Sequence, residues 1–234
     1  MDDKQIKKIL WKGALKLVLI IPVMLGVLLL SAGRWDWWEA WAYTGLGLLF
    51  MLGSRFQVIS RYPDLAVERN RAPEKENVKN WDRFLMPFTA LIAPFLAWVV
   101  AGLDQRFGWS PDLPDWIQII ALVVIQAGSL IGTWAMLANR FFSSHVRIQT
   151  DRGHVVVNQG PYGIVRHPGY AGGLLSWLAS PIFFSSIWVI IPTVLAIAAS
   201  VFRTSKEDQT LHDELPGYTD YAREVKYRLL PGIW

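Results

Sequence analysis

The chain has 234 residues, of which 53% are hydrophobic and 18% charged, and its formal net charge is +4. The charged fraction is below the roughly 25% of soluble domains, and 13 tryptophans suit a chain that meets lipid headgroups. The lack of cysteine excludes disulfides, thiolate catalysis and thiolate metal sites. Because the basic residues are not gathered into one tract, the charge indicates membrane topology rather than nucleic-acid binding. We therefore expect an integral membrane protein.

The first apolar segment, residues 17–30, approaches the ~20 residues of a membrane span when residues 13–16 are included. Small residues at Ser31 and Gly33 also fit the cleavage site of a secretory signal, but we favour a retained first helix. Five lysines form a basic flank before this segment: Lys4, Lys7, Lys8, Lys12 and Lys16.

Two further spans are predicted before residue 104. The second covers residues 37–54 and begins with a belt of tryptophans, as expected at a membrane interface. The charged residues 55–83 are too polar to enter lipid. The third span covers residues 84–103, and Pro87 and Pro94 within it predict a kinked or broken helix because proline frees backbone carbonyls.

The rest of the chain predicts a fourth span, a long polar loop, a helical hairpin and a polar tail. Residues 116–138 form the span, residues 139–168 the loop, and residues 169–203 two short helices hinged near Ser180 and Pro181. Residues 204–234 form the tail, with one or two interfacial helices broken at Pro216 and Gly217. Close helix packing is predicted by the small residues of the fourth span: Ala127, Gly128, Ser129 and Gly132.

The positive charges predict one orientation for this layout. All lysines and arginines except Arg34 and Arg106 fall on one side, which is therefore cytoplasmic and contains the N-terminus, the long loops and the tail. We expect an all-α integral membrane protein with five to six transmembrane helices. Residues 1–138 form an N-terminal four-helix membrane region, and residues 139–234 form a C-terminal region with the loop, the hairpin and the tail. Whether the hairpin fully spans the membrane or is re-entrant stays open.

Several kinds of site are excluded by the residue pattern. The four histidines are dispersed, and no paired carboxylates accompany them, so we expect no metal. No P-loop, Rossmann glycine motif or serine elbow is present. The hairpin begins and ends on the same side, so it brings the polar residues of the loop and of the tail together at the membrane surface. Such a site suits an amphipathic substrate and a soluble co-substrate.

Two motifs resemble the isoprenylcysteine carboxyl methyltransferase family, and the resemblance covers roughly residues 139–234. The first runs from His154 through Gly160-Pro161-Tyr162 to Arg166-His167-Pro168-Gly169-Tyr170-x-Gly172. The second is Arg203-x-x-x-Glu207-Asp208-x-x-Leu211, followed by Pro216-Gly217-Tyr218-x-x-Tyr221 and Arg228-Leu229-Leu230-Pro231.

The resemblance implies a methyltransferase that uses S-adenosylmethionine as the methyl donor. The implied acceptor is a lipid-like or prenylated molecule that lies among the membrane lipids. It implies that Glu207 holds the methionine end of the cofactor and that Arg203 faces the acceptor, both as catalytic residues. The usual Glu-Glu pair reads Glu207-Asp208 here, so the role of Asp208 is open. By the same resemblance, further residues line the cofactor pocket: His154, Val155, Val156, Val157, Tyr162, His167, Pro168, Gly169 and Tyr170.

The physical chemistry of these residues agrees with the implied roles. Aromatic rings and a carboxylate stabilise the sulfonium and ammonium groups of the cofactor. A carboxylate acceptor is already ionised at pH 7, so it needs an orienting cation, such as a bidentate Arg203, rather than a general base. Two alternatives remain: a lipid amine N-methyltransferase, in which Glu207 or Asp208 is the base, and an NADPH-dependent sterol reductase. Glycine at positions 169 and 173 disfavours the reductase.

Each of these residues also has a simpler structural interpretation. Arg203 could be a snorkelling positive charge at a helix end, and Glu207 could be its surface partner at i,i+4. We expect Tyr218 and Tyr221 to pack at the interface rather than in the site, and His145 to face solvent or headgroups.

Overall fold

The computed structural model describes residues 3–74 and 76–234, with side chains throughout except at residues 3–10, 12, 14, 16–18 and 73. The side chains of the basic flank's lysines therefore lie outside the described residues. The described residues contain helices and no β-strand, which confirms the predicted all-α class. The helices are α1 Asp3–Ala32, α2 Trp38–Arg61, α3 Pro63–Arg71, α4 Asp82–Phe107, α5 Asp115–Ala138, α6 Pro168–Phe183, α7 Ile190–Glu214 and α8 Tyr218–Glu224.

Helix α4 is irregular between its two prolines, as the sequence predicts. Residues Phe88–Ile92 form a π-helical turn, in which the amide of Ala93 donates to the carbonyl of Phe88. The Thr89 hydroxyl donates to the Leu85 carbonyl at 2.9 Å, which satisfies a backbone acceptor just before the turn. The helix continues through the irregularity because the freed groups find other partners.

The main core joins the N-terminal helices to the C-terminal hairpin. Leu28 of α1, Ala101 of α4 and Phe183 of α6 are fully buried in one apolar cluster. Packing of α1 in this core supports its retention as a helix of the protein, which stays a prediction. Helices α5 and α6 meet closely, because a Cβ atom on Gly128 would clash with the carbonyl oxygen of Gly172. The predicted close packing at Gly128 is thus confirmed.

A broad apolar surface surrounds the helices on the outside. Leu91 of α4, Val123 of α5 and Val194 of α7 are all more than half exposed. Water-exposed apolar patches of this extent are not expected in a soluble monomer, and they fit contact with lipid. Among the described residues, α4 and α5 are long and apolar enough to cross a membrane, and Leu19–Ala32 is a shorter apolar stretch. The total of five to six spans, and the division at residue 138, stay predictions.

The hairpin differs from the prediction at its hinge and at its end. The turn lies at residues 184–189, not at Ser180 and Pro181, because α6 continues through Pro181 to Phe183. Helix α7 then runs without interruption past Arg203 to Glu214, so the residues expected in a separate tail belong to a helix. Gly217, with φ +83°, provides the left-handed turn between α7 and α8.

Candidate functional site

The loop between α5 and α6, the C-terminal half of α7 and the start of α4 surround one cavity of about 380 Å³. The structure brings nearly all of the predicted site residues to its wall: His154, Val155, Val156, Val157, Tyr162, His167, Gly169, Tyr170, Arg203 and Glu207. Pro168 is the exception, since it is fully buried in the first turn of α6. A proline is tolerated there because its missing N–H has no helical partner to lose.

Glu207 lines the polar part of this cavity. Its carboxylate accepts a hydrogen bond of 2.6 Å from the Tyr170 hydroxyl, and both side chains line the wall. The interpretation of Glu207 as the i,i+4 partner of Arg203 is wrong, because the ion pair of Arg203 is made with a different carboxylate. Among the described residues no cation forms an ion pair with Glu207, and the charge of Arg203 acts on it only from a longer distance. The carboxylate is therefore available to a ligand at the cavity wall.

Arg203 is bound by Asp82, the first residue of α4. Its Nε lies 2.5 Å from Asp82 Oδ1 and its Nη2 lies 3.1 Å from Oδ2, while Nη2 also donates to the Ser144 carbonyl at 2.9 Å. The fully buried Asp82 accepts a further hydrogen bond of 2.7 Å from the amide of Val146. The bidentate partner of Arg203 is therefore a protein carboxylate, and only Nη1 remains for another acceptor. The guanidinium also lies 5.4 Å from the centre of the Tyr170 ring.

Asp208, next to Glu207, occupies a buried polar centre that we call the Asp208 hub. Arg166 donates through Nε at 2.9 Å and Nη2 at 3.1 Å, and Arg228 donates through Nε at 2.7 Å. The Tyr218 hydroxyl donates at 2.8 Å, and His167 Nε2 lies 3.1 Å from the same carboxylate. Burial by itself would raise the pKa of Asp208, but the hydrogen bonds from His167 and Arg166 outweigh it and hold the pKa far below its usual range.

The hub and the backbone together join the loop to the C-terminal residues. The amide of Arg166 donates to the Tyr227 carbonyl, and the amide of His167 donates to the Arg228 carbonyl, each at 2.9 Å. Arg166 Nη1 also donates to two carbonyls, those of Val225 and Lys226. Arg166 is thus a structural residue rather than a charge that faces phosphate. The convergence of loop and tail, inferred from the topology of the hairpin, is confirmed.

The loop wall of the cavity is fixed by a second set of buried contacts. Arg147 Nε lies 2.8 Å from Glu68 Oε1, and its Nη1 lies 2.9 Å from Asp151 Oδ1. The amide of the fully buried Gln149 donates to His154 Nδ1 at 3.3 Å. Burial, helped by the charges of Arg147 and Arg152, lowers the pKa of His154 to about 4. His154 is therefore neutral at pH 7, as its acceptor nitrogen requires.

Two expectations about individual residues are wrong. Tyr218 and Tyr221 are buried in the cavity wall rather than at the interface, and the Tyr221 hydroxyl donates to the Tyr162 carbonyl at 2.7 Å. His145 is also buried in the wall, where burial lowers its pKa. Tyr218 and Tyr221 pack inward because the segment from Pro216 to Trp234 folds back over the loop, where Arg166 and His167 hydrogen-bond to it.

Sequence reasoning missed the contribution of the region before α5. Asp82, Met86 and Thr89 lie on one face of α4 at i, i+4 and i+7; Asp82 binds Arg203, and the other two line the cavity. Arg69 of α3 lines it as well. The position of Asp82 at the start of a span was visible in the sequence, but an acid there is ordinarily a helix N-terminal residue. No sequence signal distinguishes Arg69 from its basic neighbours.

Within residues 3–74 and 76–234, no group of three or more histidine and carboxylate side chains is placed to hold a metal ion. The cavity instead combines an open carboxylate, several aromatic rings and an apolar slot. This combination suits an organic ligand with a positive charge and an amphipathic ligand beside it.

Comparison with known proteins agrees with the motifs. Residues 119–213 match the family model for isoprenylcysteine carboxyl methyltransferase (ICMT). A probable protein-S-isoprenylcysteine O-methyltransferase of Oryza sativa subsp. indica is 32% identical over 68 residues, which are 28% of this chain and 36% of that protein. Protein-S-isoprenylcysteine O-methyltransferase B of Arabidopsis thaliana is 34% identical over 61 residues, which are 26% of this chain and 31% of that protein. The chain thus aligns with about a third of the length of these relatives.

The match confirms the resemblance to this methyltransferase family in the part of the chain that forms most of the cavity. It covers α5, the polar loop, α6 and nearly all of α7, and so includes the region of both Tyr170 and Glu207. The Asp82 and Arg69 contributions lie before the matched residues, and α8 lies after them.

Proposed function

We propose that this protein is an S-adenosylmethionine-dependent methyltransferase of the membrane that methylates the carboxylate of an isoprenylcysteine-like acceptor. The observation that carries the proposal is the cavity of the candidate site. It joins both family motifs around the open Glu207 carboxylate, within the residues that match the family model.

The residues present fit the proposed cofactor. Glu207 offers a carboxylate without an ion pair among the described residues for an ammonium or sulfonium group, and the ring of Tyr170 lies beside it. The neutral His154 ring lies 4.6 Å from the Phe141 ring, which makes an uncharged aromatic wall. Val155, Val156 and Val157 extend this wall with apolar side chains. When bound, S-adenosylmethionine supplies a methyl group on a sulfonium, whose bonding pair stays on sulfur as the carboxylate oxygen takes the methyl carbon.

The chain's own part in the reaction is to orient the acceptor and to exclude water. An acceptor carboxylate is ionised at pH 7, so no residue has to remove a proton from it. Asp82 holds the Arg203 side chain in place, and Nη1 of Arg203 is then the group that points to an acceptor. A fixed cation reduces the freedom that the acceptor must lose before transfer, and such positioning contributes strongly to rates.

The apolar part of the cavity suits the hydrocarbon tail of the acceptor. Met86, Thr89 and Ala90 of α4 line this part of the cavity, as do Gly173 and Trp177 of α6. We propose that α4 and α5 cross the membrane and that the cavity lies on its cytoplasmic side, as the lysines and arginines predict. An acceptor then keeps its tail at lipid depth while its carboxylate reaches the polar end.

The test is a methyl-transfer assay with purified protein and radiolabelled S-adenosylmethionine. One arm contains N-acetyl-S-farnesylcysteine and the other contains total membrane lipid. We expect label in the farnesylcysteine product, and base should release it as methanol because it is a methyl ester. Label in lipid that survives base would instead indicate N-methylation of an amine.

Calorimetry separates the methyltransferase from the reductase alternative. We expect binding of S-adenosylmethionine and none of NADPH, and the opposite pattern would overturn the proposal. Replacement Arg203→Lys keeps a charge beside the buried Asp82, so we expect the protein to fold and to bind cofactor. Turnover should fall strongly, because lysine lacks the planar fork that Asp82 positions.

A further inference from the structure

Not every charged side chain on the cavity wall is paired with a side chain of opposite charge. Three of its four lining arginines within the described chain are paired with protein carboxylates: Arg147 with Glu68 and Asp151, Arg166 with Asp208, and Arg203 with Asp82. When these pairs are set aside, Glu207 is the anion and Arg69 the cation that form no ion pair among the described residues. The cavity therefore has one side chain of each sign without an ion pair.

Arg69 is held by neutral groups. Its Nη1 donates to the Phe142 carbonyl at 3.2 Å, and its guanidinium lies 5.3 Å from the centre of the Phe142 ring. Among the described residues no carboxylate pairs with it. Burial, together with the charges of Arg55 and Arg203, lowers the pKa of Arg69 to about 10, so it is still charged at pH 7.

A buried guanidinium lowers the free energy of unfolding unless an anion forms an ion pair with it. Arginine presents five N–H groups in a planar fork, and the Phe142 carbonyl occupies only one of those of Arg69. A carboxylate is the anion whose geometry matches the free part of that fork. The structure thus leaves a carboxylate-sized interaction unmade on the cavity wall.

Arg69 lies at the same end of the cavity as Arg203. Both side chains contact the short segment of residues 142–144, Arg69 at the Phe142 carbonyl and Arg203 at the Ser144 carbonyl. From this end the face of α4 leads from Asp82 towards Ala90, a distance of about 12 Å along a helix at 1.5 Å per residue. A ligand with its carboxylate at the arginines would lay its hydrocarbon along Met86 and Thr89.

We propose that Arg69 binds the carboxylate of the methyl acceptor beside Arg203, an inference that rests on the proposed function. The cofactor also carries a carboxylate, so the experiment measures both ligands. We assign Arg69 to the acceptor because it lines the cavity together with Met86 and Ala90, whose apolar side chains suit a hydrocarbon tail. Methyl transfer turns the acceptor's carboxylate into a neutral ester. Arg69 therefore favours the charged substrate over the neutral product and promotes product release.

The experiment compares Arg69→Gln with the wild type and with Arg71→Gln, an exposed arginine of the same helix, as the matched control. The probes are N-acetyl-S-farnesylcysteine, its carboxamide, which has no charge, and S-adenosylmethionine. Binding of each is measured by calorimetry, and KM and kcat come from the methyl-transfer assay.

We expect the wild type and Arg71→Gln to bind the acid about 10- to 100-fold more tightly than the amide, as a hydrogen-bonded charge pair provides. Arg69→Gln should lose this preference and raise the KM for the acid by the same factor. Its affinity for S-adenosylmethionine should change less than about 2-fold. Arg69→Lys, which keeps the charge without the fork, should retain part of the preference, and it replaces Arg69→Gln if that variant does not fold.

An undiminished acid preference in Arg69→Gln would overturn the inference. So would a loss of S-adenosylmethionine affinity with the acid preference retained, since Arg69 would then hold the cofactor's carboxylate. If the wild type binds the acid but transfers no methyl group, the proposed function fails, and the binding measurements still decide whether Arg69 holds a prenylated carboxylate.

Discussion

Glu207 and Asp208 are adjacent carboxylates on α7, yet they belong to different regions of the molecule. Successive residues of a helix point about 100° apart, so Glu207 faces the cavity while Asp208 faces the buried hub. Asp208 is saturated by two arginines, a tyrosine and a histidine. Glu207 receives one tyrosine hydroxyl and, among the described residues, no ion pair. A carboxylate whose oxygens accept hydrogen bonds from several protein donors stabilises the fold. A carboxylate with few protein donors is available to a ligand.

The largest effect on stability is expected when the charge of Asp208 is removed. In Asp208→Asn, Arg166 and Arg228 keep their positions but lose their carboxylate. Breaking a buried ion pair in this way typically costs about 3–5 kcal/mol of unfolding free energy. We expect a large fall in Tm, measured in detergent by differential scanning fluorimetry.

The matched control for the hub is Asp220→Asn. Asp220 pairs with Arg223 at 2.9 Å, but both side chains are exposed. Exposed pairs contribute about 0–1 kcal/mol, so the Tm should hardly move. Equal effects of the two substitutions would contradict the structural role of the Asp208 hub.

The second largest effect should fall on ligand binding rather than on stability. Glu207→Gln removes the open charge and keeps the shape of the side chain. A hydrogen bond to a charged group contributes about 1.5–3 kcal/mol, so S-adenosylmethionine affinity should fall about 10- to 100-fold in calorimetry. The Tm without ligand should change little. Glu214→Gln, on the same helix but paired with Lys79 at the surface, should leave affinity unchanged. A large Tm loss with normal affinity would reverse the assignment of the two carboxylates.

A smaller effect is expected from the hydroxyl that positions Glu207. Tyr170→Phe keeps the ring and removes the 2.6 Å hydrogen bond. Because one hydrogen bond is worth about 1 kcal/mol, affinity for S-adenosylmethionine should fall about 5-fold. Tyr227→Phe, at an exposed position, is the control. If the Tyr170 variant lost binding as completely as the Glu207 variant, the tyrosine would contact the ligand more directly than proposed.

The smallest effect is a pH dependence of stability from His154. Its pKa is about 4 in the folded protein and 6.5 ordinarily, so the unfolded chain binds the proton more readily. The free energy of unfolding is therefore unaffected by His154 above pH 6.5, and it decreases through His154 as the pH falls towards 4. Because the ring is partly exposed, we expect a loss of about 0.5–1 kcal/mol at pH 5.5.

The His154 contribution can be isolated by comparing Tm values at pH 7.5 and 5.5 in the wild type and in His154→Gln. The variant should lose this part of the pH dependence. An identical profile in both proteins would show that the ring is not buried neutral. Asp208 does not interfere, because its contribution is lost only below its ordinary pKa of 3.8.

Hydrophobic runs and turn residues predicted most of the secondary structure correctly. The irregular turn in α4 and the break at Gly217 both lie where the sequence predicts a disturbed helix, because proline and glycine act on the backbone locally. The hinge at Pro181 was wrong because a proline near a helix end removes only one hydrogen bond, and packing of Phe183 in the core carries the helix beyond it. Local chemistry thus predicted where breaks are allowed, and packing chose among them.

By itself the sequence determined the all-α class, the apolar segments, the family resemblance and those cavity residues that belong to the two motifs, such as Tyr170, Arg203 and Glu207. These follow from composition, from the period of a helix and from motifs that are close in the chain. Only the tertiary structure decided which charged side chains form ion pairs with each other. Arg203 pairs with Asp82 from 121 residues away, Asp208 becomes a hub, and Glu207 and Arg69 stay open. Pairing depends on distance and burial in the folded chain, and a linear pattern contains neither.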